Sequence, residues 1–158
     1  MFQSSFIRKN LGFYVIPAED KLNKLNQILK KNPESSIIYV RNRKYCHEYA
    51  LQLQNMGYKT TFYHGGLSSK EKKTNMNAWM NDIKKVMIAT SAFGMGIDKS
   101  NVRMIIHAHI PQSIENYMQE IGRAGRDGKK AWAYMLFNEN SFYENEQLLA
   151  KTLVSPME

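Results

Sequence analysis

Cysteine is nearly absent from this sequence: Cys46 is the only one in 158 residues. A single thiol cannot form an internal disulfide or a cysteine-based zinc cluster, so stability has to come from a hydrophobic core. We interpret Cys46 as a buried thiol in a reducing compartment. The expected location is therefore the cytoplasm, with a bacterial cytoplasm or nucleoid as the first choice.

Long apolar runs and an acidic excess are also missing. No stretch approaches the roughly 18 apolar residues of a membrane-spanning helix, and no signal-peptide pattern opens the chain. Lys and Arg total 22 against 14 Asp and Glu, a net charge of +8. This balance favours a polyanionic partner, either nucleic acid or an anionic membrane surface, and the missing apolar run disfavours the membrane. The 43% of hydrophobic residues is sufficient for one globular domain.

Two nucleotide-binding signatures are missing as well. No G-x-x-x-x-G-K-[ST] phosphate loop occurs, because Arg123 stands five positions before Gly128 where glycine is required. The G-x-G-x-x-G fingerprint fails too, since Gly94 and Gly96 are followed by Lys99 in the place of the third glycine. No Asp-Glu dipeptide is present to hold magnesium. If this chain acts on a nucleoside triphosphate, a second domain must supply the rest of the site.

Short apolar runs alternate with helical patterns along most of the chain. Such alternation predicts βαβ units, hence an α/β fold with a mostly parallel sheet and helices on both faces. A capping box at Ser68 and Glu71 starts one helix, and Gly57 ends another. The predicted strands are 13–16, 36–40, 59–63, 86–89, 104–109 and 131–137. The predicted helices are 19–31, 44–56, 68–81, 113–121 and a last one from about residue 141.

The loops after the strands are the place to look for chemistry, because ligands of parallel sheets gather at the carboxyl ends of strands. Arg41-Asn42-Arg43 follows one strand and opens a helix, which suits a backbone phosphate; the alternative is a solvated helix start. His64, followed by Gly65-Gly66, is more often structural than functional in such a loop. Tyr63 suits either stacking on a base or packing in the core.

The next strand is followed by hydroxyls and a short carboxylate. Thr90 and Ser91 suit phosphate oxygens, and Asp98 suits a ribose hydroxyl. Further on, Arg123 and Arg126 stand three residues apart in a run bracketed by glycines. Planar guanidinium groups match phosphate oxygens two at a time, so this run indicates a grip on a polyphosphate. Its alternative is a polar helix C-terminus with solvated arginines.

Four segments, taken in order, resemble motifs IV, IVa, V and VI of the RecQ helicases of superfamily 2. They are S-I-I-Y-V-x-N-R, Y-H-G-G-L, A-T-S-A-F-G-M-G-I-D-K and Q-E-I-G-R-A-G-R-D-G. The similarity runs from about residue 2 to 137. It includes an opening S-F-x-x-K-N-L that is similar to the passage between the two motor lobes of RecQ proteins.

The resemblance implies the second RecA-like lobe of an ATP-dependent 3′-to-5′ DNA helicase that acts in recombination and repair. It implies a linker at 1–12, a RecA-like helicase C-terminal domain at 13–153 and a tail at 154–158. The partners would be single-stranded and duplex DNA and the first lobe of the same full-length chain. ATP and Mg²⁺ would be bound mainly by that first lobe, and this chain alone would be inactive.

The resemblance also implies roles for residues. Arg126 would be the arginine finger on the γ-phosphate, with Arg123 beside it and Gln119 coupling the motif to the nucleotide. Gly96 and Asp98 would face the ribose. The implied DNA contacts are Asn42, Arg43, Thr90 and Ser91, with His64 added from the Y-H-G-G-L segment.

Two departures from the RecQ pattern are mild: Asn42 stands where Ser is usual, and Ser100 where Pro is usual. Two other functions remain open. One is an RNA helicase or another superfamily 2 translocase, which tests on DNA and RNA duplexes would separate. The other is a catalytically silent nucleic-acid-binding module. The intact pair of arginines disfavours the second, because a pure binder needs no arginine directed at a γ-phosphate.

Overall fold

The computed structural model describes residues 9–91, 93 and 97–138. Six strands and four helices follow one another along this part of the chain. The strands are β1 Leu11–Pro17, β2 Ser36–Tyr39, β3 Thr60–Tyr63, β4 Val86–Ala89, β5 Met104–His107 and β6 Ala131–Phe137. The helices are α1 Lys21–Lys31, α2 Arg43–Asn55, α3 Ser69–Met80 and α4 Ile114–Ile121.

All six strands belong to one sheet, in the order β1-β6-β5-β2-β4-β3, and every neighbouring pair is parallel. The prediction of a parallel α/β sheet is confirmed. Because the strands share one direction, the loops that follow β2, β3, β4 and β5 all leave the sheet at the same edge. We call this the carboxyl edge.

Side-chain alternation along the strands explains why helices cover both faces. In β2, Ile38 points to the face covered by α1 and α2, where it joins a cluster with Leu25 and Leu53. Its neighbour Ile37 points to the opposite face, where it joins Trp79 of α3 and Ile121 of α4. All four residues of β2, β4 and β5 are buried, as expected for strands between two helical layers.

The helices begin and end where local chemistry predicts. Ser68 and Glu71 form the capping box at the start of α3, and Gly57 follows α2 with a φ of +103°, which glycine adopts without strain. Cys46 is buried in α2, as predicted. None of the described helices is both long and apolar enough to cross a bilayer.

Several boundaries differ from the sequence prediction by one or two residues, and two of these differences have a structural reason. β1 begins at Leu11 and pairs with β6, so the last two residues assigned to the linker belong to the sheet. β5 ends at His107 rather than at His109, because the Nδ1 atom of His109 accepts a hydrogen bond from the Arg41 N–H beyond the end of β2. The helix predicted from residue 141 lies outside the described residues.

Candidate nucleic-acid and nucleotide site

Three loops at the carboxyl edge form an open groove of about 520 Å³. They follow β2, β4 and β3, which are neighbours in the sheet. We call it the cationic groove, because its charged lining residues are all basic. It brings together four of the predicted DNA contacts, which are far apart in sequence. The lining residues are Arg41, Asn42, Arg43, Lys44, Gly65, Thr90 and Ser91.

Arg43 extends from the first turn of α2 over the glycine loop after β3. A Cβ atom on Gly66 would lie 2.6 Å from Nη1 of Arg43 and 2.8 Å from its Cζ. A Cβ on Gly65 would lie 3.8 Å from Nη2, an ordinary contact distance. The guanidinium group therefore rests on the backbone of Gly66, and the missing side chain is what allows this approach.

Asn42 is the N-cap of α2. Its Oδ1 accepts a hydrogen bond from the Tyr45 N–H at 3.1 Å, which satisfies one of the unpaired amides of the first turn. The two interpretations of this segment are thus compatible, because the capped start of α2 is also part of the groove. The positive end of the helix dipole adds to the cations there.

His64 does not face the groove as a DNA contact would. Only 5% of the residue is exposed, and both ring nitrogens have protein partners. Its Nδ1 accepts a hydrogen bond from the Gly66 N–H at 3.0 Å, and its Nε2 lies 2.9 Å from Nε2 of His47. We therefore replace the predicted direct contact by a positioning role. Tyr63 packs edge-on against Phe93, with ring centroids 5.0 Å apart, so it is a core ring rather than a stacking platform.

Arg126 lies next to another predicted nucleotide contact. Its Nη1 donates a hydrogen bond to the Ile97 carbonyl at 2.8 Å and lies 3.6 Å from a carboxylate oxygen of Asp98. Its side chain is 34% exposed, and that of Asp98 is 93% exposed. Folding thus places both groups together on the surface, although 27 residues separate them in sequence. Gly96 lies outside the described residues.

Arg123 follows α4 directly. Its Nη1 donates to the Gln119 carbonyl at 2.6 Å, so the predicted coupling residue contacts the arginine through its backbone. Gln119 itself is exposed. Burial raises the pKa of Tyr39 at the end of β2, and the positive charge of Arg123 partly opposes that shift.

The turn that carries Arg126 is fixed to the sheet by its backbone. The Gly125 N–H donates to the Val102 carbonyl at 2.9 Å, and the Asp127 N–H donates to the Ser100 carbonyl at 3.1 Å. Gly125 has a φ of +67°, in the left-handed region that favours glycine. The glycines of this motif therefore shape a turn that presents Arg126 beside the loop before β5.

Charged residues that sequence reasoning passed over hold this segment in place. His107 of β5 and Glu120 of α4 form a buried pair, with Nε2 and Oε1 2.8 Å apart. Arg103 pairs with Asp127 at 2.5 Å and also donates to the Lys130 carbonyl at 2.7 Å. The signal was present in the sequence, because a histidine at the end of an apolar strand needs a partner when it is buried.

A cavity of about 260 Å³ separates the cationic groove from α4. It is lined on one side by Arg41 and Ser91 and on the other by Asn116 and Glu120. The cavity therefore lies between the phosphate-contact candidates and α4, whereas the turn that carries Arg126 is held by Val102 and Ser100, before the start of β5. Among the described residues, no group of three or more His, Cys, Asp and Glu side chains could hold a metal ion.

The parallel sheet, the cationic groove at its carboxyl edge and the arginine turn after α4 together indicate a lobe of a helicase. Residues 20–128 match the family described as the helicase conserved C-terminal domain, and the chain belongs to this family. Its curated relatives at 34–41% identity are RecQ-family DNA helicases, which confirms the resemblance drawn from the four motifs.

Three of these relatives show the extent of the similarity. The chain is 41% identical over 136 residues to ATP-dependent DNA helicase RecQ of Bacillus subtilis, covering 85% of this chain and 23% of that protein. It is 39% identical over 150 residues to ATP-dependent DNA helicase hus2/rqh1 of Schizosaccharomyces pombe, covering 93% and 11%. It is 40% identical over 141 residues to RecQ-like DNA helicase blm-1 of Caenorhabditis elegans, covering 87% and 14%. The chain thus spans less than a quarter of each.

Solved structures agree with the fold. The E. coli DEAD-box protein SrmB superposes with a TM-score of 0.79 at 27% identity, covering 91% of this chain and 85% of that one. A DEAD box protein from Methanococcus jannaschii gives a TM-score of 0.76 at 24% identity. The match covers 94% of this chain and 40% of that one. The predicted RecA-like domain is therefore confirmed.

Proposed function

We propose that this chain is the second motor lobe of an ATP-dependent 3′-to-5′ DNA helicase of RecQ type. The observation that carries the proposal is that the segment after β4 belongs to two basic sites: Thr90 and Ser91 line the cationic groove, and Ile97 and Asp98 contact Arg126. The relatives that cover most of the chain are named ATP-dependent DNA helicases, which supports DNA as the substrate. Because the sequence has no phosphate loop, the triphosphate must be anchored by another lobe.

Arg126 is proposed as the arginine finger. Phosphoryl transfer needs neutralisation of the charge on the γ-phosphate, and an arginine supplied by a neighbouring body provides it only when the two bodies close. The side chain is anchored by the Ile97 carbonyl yet partly exposed, so it can turn toward a phosphate without unfolding. Arg123 would assist, with Gln119 beneath it, while Asp98 and Gly96 would face the ribose.

The cationic groove is proposed as the contact for the tracked strand. Arg43, Thr90, Ser91 and the capped start of α2 would bind backbone phosphates. Such contacts carry no base information, so binding should be indifferent to sequence and should weaken steeply with salt. Closure of two lobes around ATP and their opening after hydrolysis would alternate which lobe holds the strand. ATP and Mg²⁺, held mainly by the first lobe, would supply the energy.

Substitution of Arg126 in the longer protein that contains this lobe tests the proposal. Arg126→Ala should reduce DNA-stimulated ATP hydrolysis by about 10³-fold or more, the scale of arginine fingers in other nucleotide hydrolases, and leave ATP binding largely intact. Lys59→Ala is the matched control, because Lys59 is an exposed cation just before β3, the outermost strand, and β2 and β4 separate β3 from β5, whose preceding segment holds the Arg126 turn. Hydrolysis would be measured by phosphate release, and ATP binding with a fluorescent analogue.

Wild-type turnover in Arg126→Ala would show that the finger assignment is wrong. The 158-residue chain by itself should hydrolyse ATP no faster than buffer and should bind single-stranded DNA weakly. Turnover by that chain would contradict the division of the site between two lobes. Unwinding of RNA duplexes in preference to DNA duplexes would instead favour another superfamily 2 translocase.

A further inference from the structure

We infer that His47 is a positioning residue for the cationic groove. Together with His64 it holds the glycine loop under Arg43, and it does so only while both imidazoles are neutral. The inference rests on the proposed function, because it concerns how the groove is kept ready for phosphate. It predicts that the affinity of the lobe for a DNA strand falls as the pH is lowered, whereas the added positive charge alone would raise that affinity.

The pair joins two elements of the lobe. His47 is on the exposed side of α2, one turn after Arg43, and His64 is the first residue after β3. Their Nε2 atoms are 2.9 Å apart, which is a hydrogen-bond distance. Phe62 packs against the ring of His47, with centroids 4.5 Å apart, and fixes its orientation. The contact therefore ties the first half of α2 to the glycine loop.

The hydrogen bonds of His64 fix where the protons are. Because its Nδ1 accepts from the Gly66 N–H, that nitrogen carries no proton, so the neutral ring is protonated on Nε2. Its Nε2–H must then donate to Nε2 of His47, which accepts only if His47 is neutral with its proton on Nδ1. A proton on Nε2 of His47 would face the Nε2–H of His64, and a second proton on His64 would remove the acceptor for Gly66. Both hydrogen bonds exist together only in the doubly neutral pair.

Loss of these bonds would reach Arg43 through Gly66. The guanidinium group rests on the Gly66 backbone, within the distance at which even a methyl group would collide with it. The Gly66 N–H donates a hydrogen bond to His64, so the histidine pair sets the position of the Gly66 backbone relative to the guanidinium group of Arg43. If the loop moves, Arg43 loses its support and its fixed orientation in the groove.

The surroundings of His64 favour the neutral form. Burial lowers the pKa of His64, and His47 and Arg43 on α2 lower it further. On α3, Glu71 raises it and Lys72 lowers it. The imidazole is therefore neutral at physiological pH. Because its pKa is depressed in the folded state, the neutral arrangement is fully favoured above the ordinary value of 6.5 and is lost as the pH falls below that value.

Two effects of acidification have opposite signs. An added positive charge near the groove would strengthen binding of a polyanion. Disruption of the pair would weaken it, because Arg43 is no longer held. His47→Gln retains the hydrogen bond, because its carboxamide oxygen can accept from His64 in place of Nε2. His64 titrates in every variant, so a variant that lacks this bond separates the two effects when it is compared with wild type. His47→Ala removes the acceptor at every pH.

The experiment measures the affinity of the 158-residue chain, wild type and both variants, for a rhodamine-labelled oligo-dT by fluorescence anisotropy. It is run at constant ionic strength from about pH 8 to about pH 5, a range that spans histidine titration. Wild type and His47→Gln should bind alike at the upper end. Wild type should bind about tenfold more tightly than His47→Ala there, the effect of one hydrogen bond to a charged group, and the two should bind alike at the lower end. His47→Ala should bind weakly throughout.

A constant ratio between wild type and His47→Ala across this range would overturn the inference, as would a wild type that gains affinity relative to that variant as the pH falls. Nitrogen NMR of the imidazoles gives a readout without DNA: His64 should be the Nε2–H tautomer and His47 the Nδ1–H tautomer at the upper pH. A different pair of tautomers also refutes the inference. Absence of oligo-dT binding by wild type at every pH, with these tautomers present, would instead contradict the proposed function.

Discussion

Gly66→Ala tests whether Arg43 acts through its contact with the glycine loop. The new Cβ would stand 2.6 Å from Nη1 of Arg43, whereas ordinary contacts begin near 3.4 Å. The guanidinium group must therefore retreat by about 0.8 Å, the difference between these two distances. A phosphate oxygen held at about 2.9 Å would then be about 3.7 Å away, beyond hydrogen-bond range.

The expected cost falls on binding and not on folding. Losing one hydrogen bond to a charged group costs about 1.5 kcal/mol, or about tenfold in affinity for single-stranded DNA. The slope of log affinity against log salt should decrease by about 0.7, the value of one phosphate contact on a single strand. Gly66 is not in the left-handed region, and the clash involves the end of a flexible side chain. The free energy of unfolding should therefore change by less than about 0.5 kcal/mol, since alanine also restricts the unfolded chain.

Gly65→Ala is the matched control. Its Cβ would meet Arg43 only at 3.8 Å, so the same substitution one residue earlier should change neither affinity nor salt slope. Anisotropy titrations at several salt concentrations and urea denaturation of both variants measure these quantities. Equal affinity of Gly66→Ala and Gly65→Ala, with wild-type salt slopes, would refute the role of Arg43 as a phosphate contact. An equal loss of affinity in both variants would indicate that the conformation of the glycine loop, and not the position of Arg43, determines binding.

Two further predictions concern the stability of the loops that carry the site. Gly125→Ala should lower the free energy of unfolding by about 2 to 4 kcal/mol in urea denaturation, because φ is +67° and the Cβ would lie 3.1 Å from Cβ of Ala131 and 3.3 Å from the Lys129 carbonyl oxygen, as well as 2.5 Å from Nδ2 of Asn10. Gly128→Ala has a similar φ of +83° but open space, so it should cost only about 1 kcal/mol; equal losses would contradict the packing argument. Burial alone would raise the pKa of Asp82, but hydrogen bonds from Lys99 and Asn101 hold it below its ordinary value of 3.8. The ionised Asp82 therefore stabilises the fold fully above about pH 4, and this stabilisation is lost as the pH falls below that value. Asp82→Asn should remove this part of the acid sensitivity, and asparagine tolerates the same positive φ of 59°.

The sequence predicted the elements of this fold well because each carries a local signal. The fully apolar β2 and β4 were predicted to within one residue, and the capping box of α3 was found at Ser68. The order of the strands has no such signal. The strand order depends on the face of the sheet against which each connecting segment packs. The position of β5 between β6 and β2 could therefore be read from the structure but not from the sequence.

The sequence predicted which residue types form the site, but it did not predict the directions in which their side chains point. Spacing identified Arg126 and Asp98, but their contact depends on the backbone hydrogen bonds of Gly125 and Asp127. His64 shows the limit most clearly. Its place in a loop at a strand end made it a plausible DNA contact, whereas its partner on α2 turns it inward. Partners that meet only through tertiary packing leave no periodic trace in a sequence.

The uniform direction of the six strands has a mechanical consequence. The cationic groove is formed by loops after neighbouring strands, and the turn that carries Arg126 is hydrogen-bonded to the segment that enters β5, so one sheet fixes both sites relative to each other. Under the proposed function, such a lobe would move as one body. Under the proposed function, the distance advanced along DNA in each cycle is determined by the hinge outside this lobe, and alterations within it should change how firmly a strand is held without changing how far it is carried.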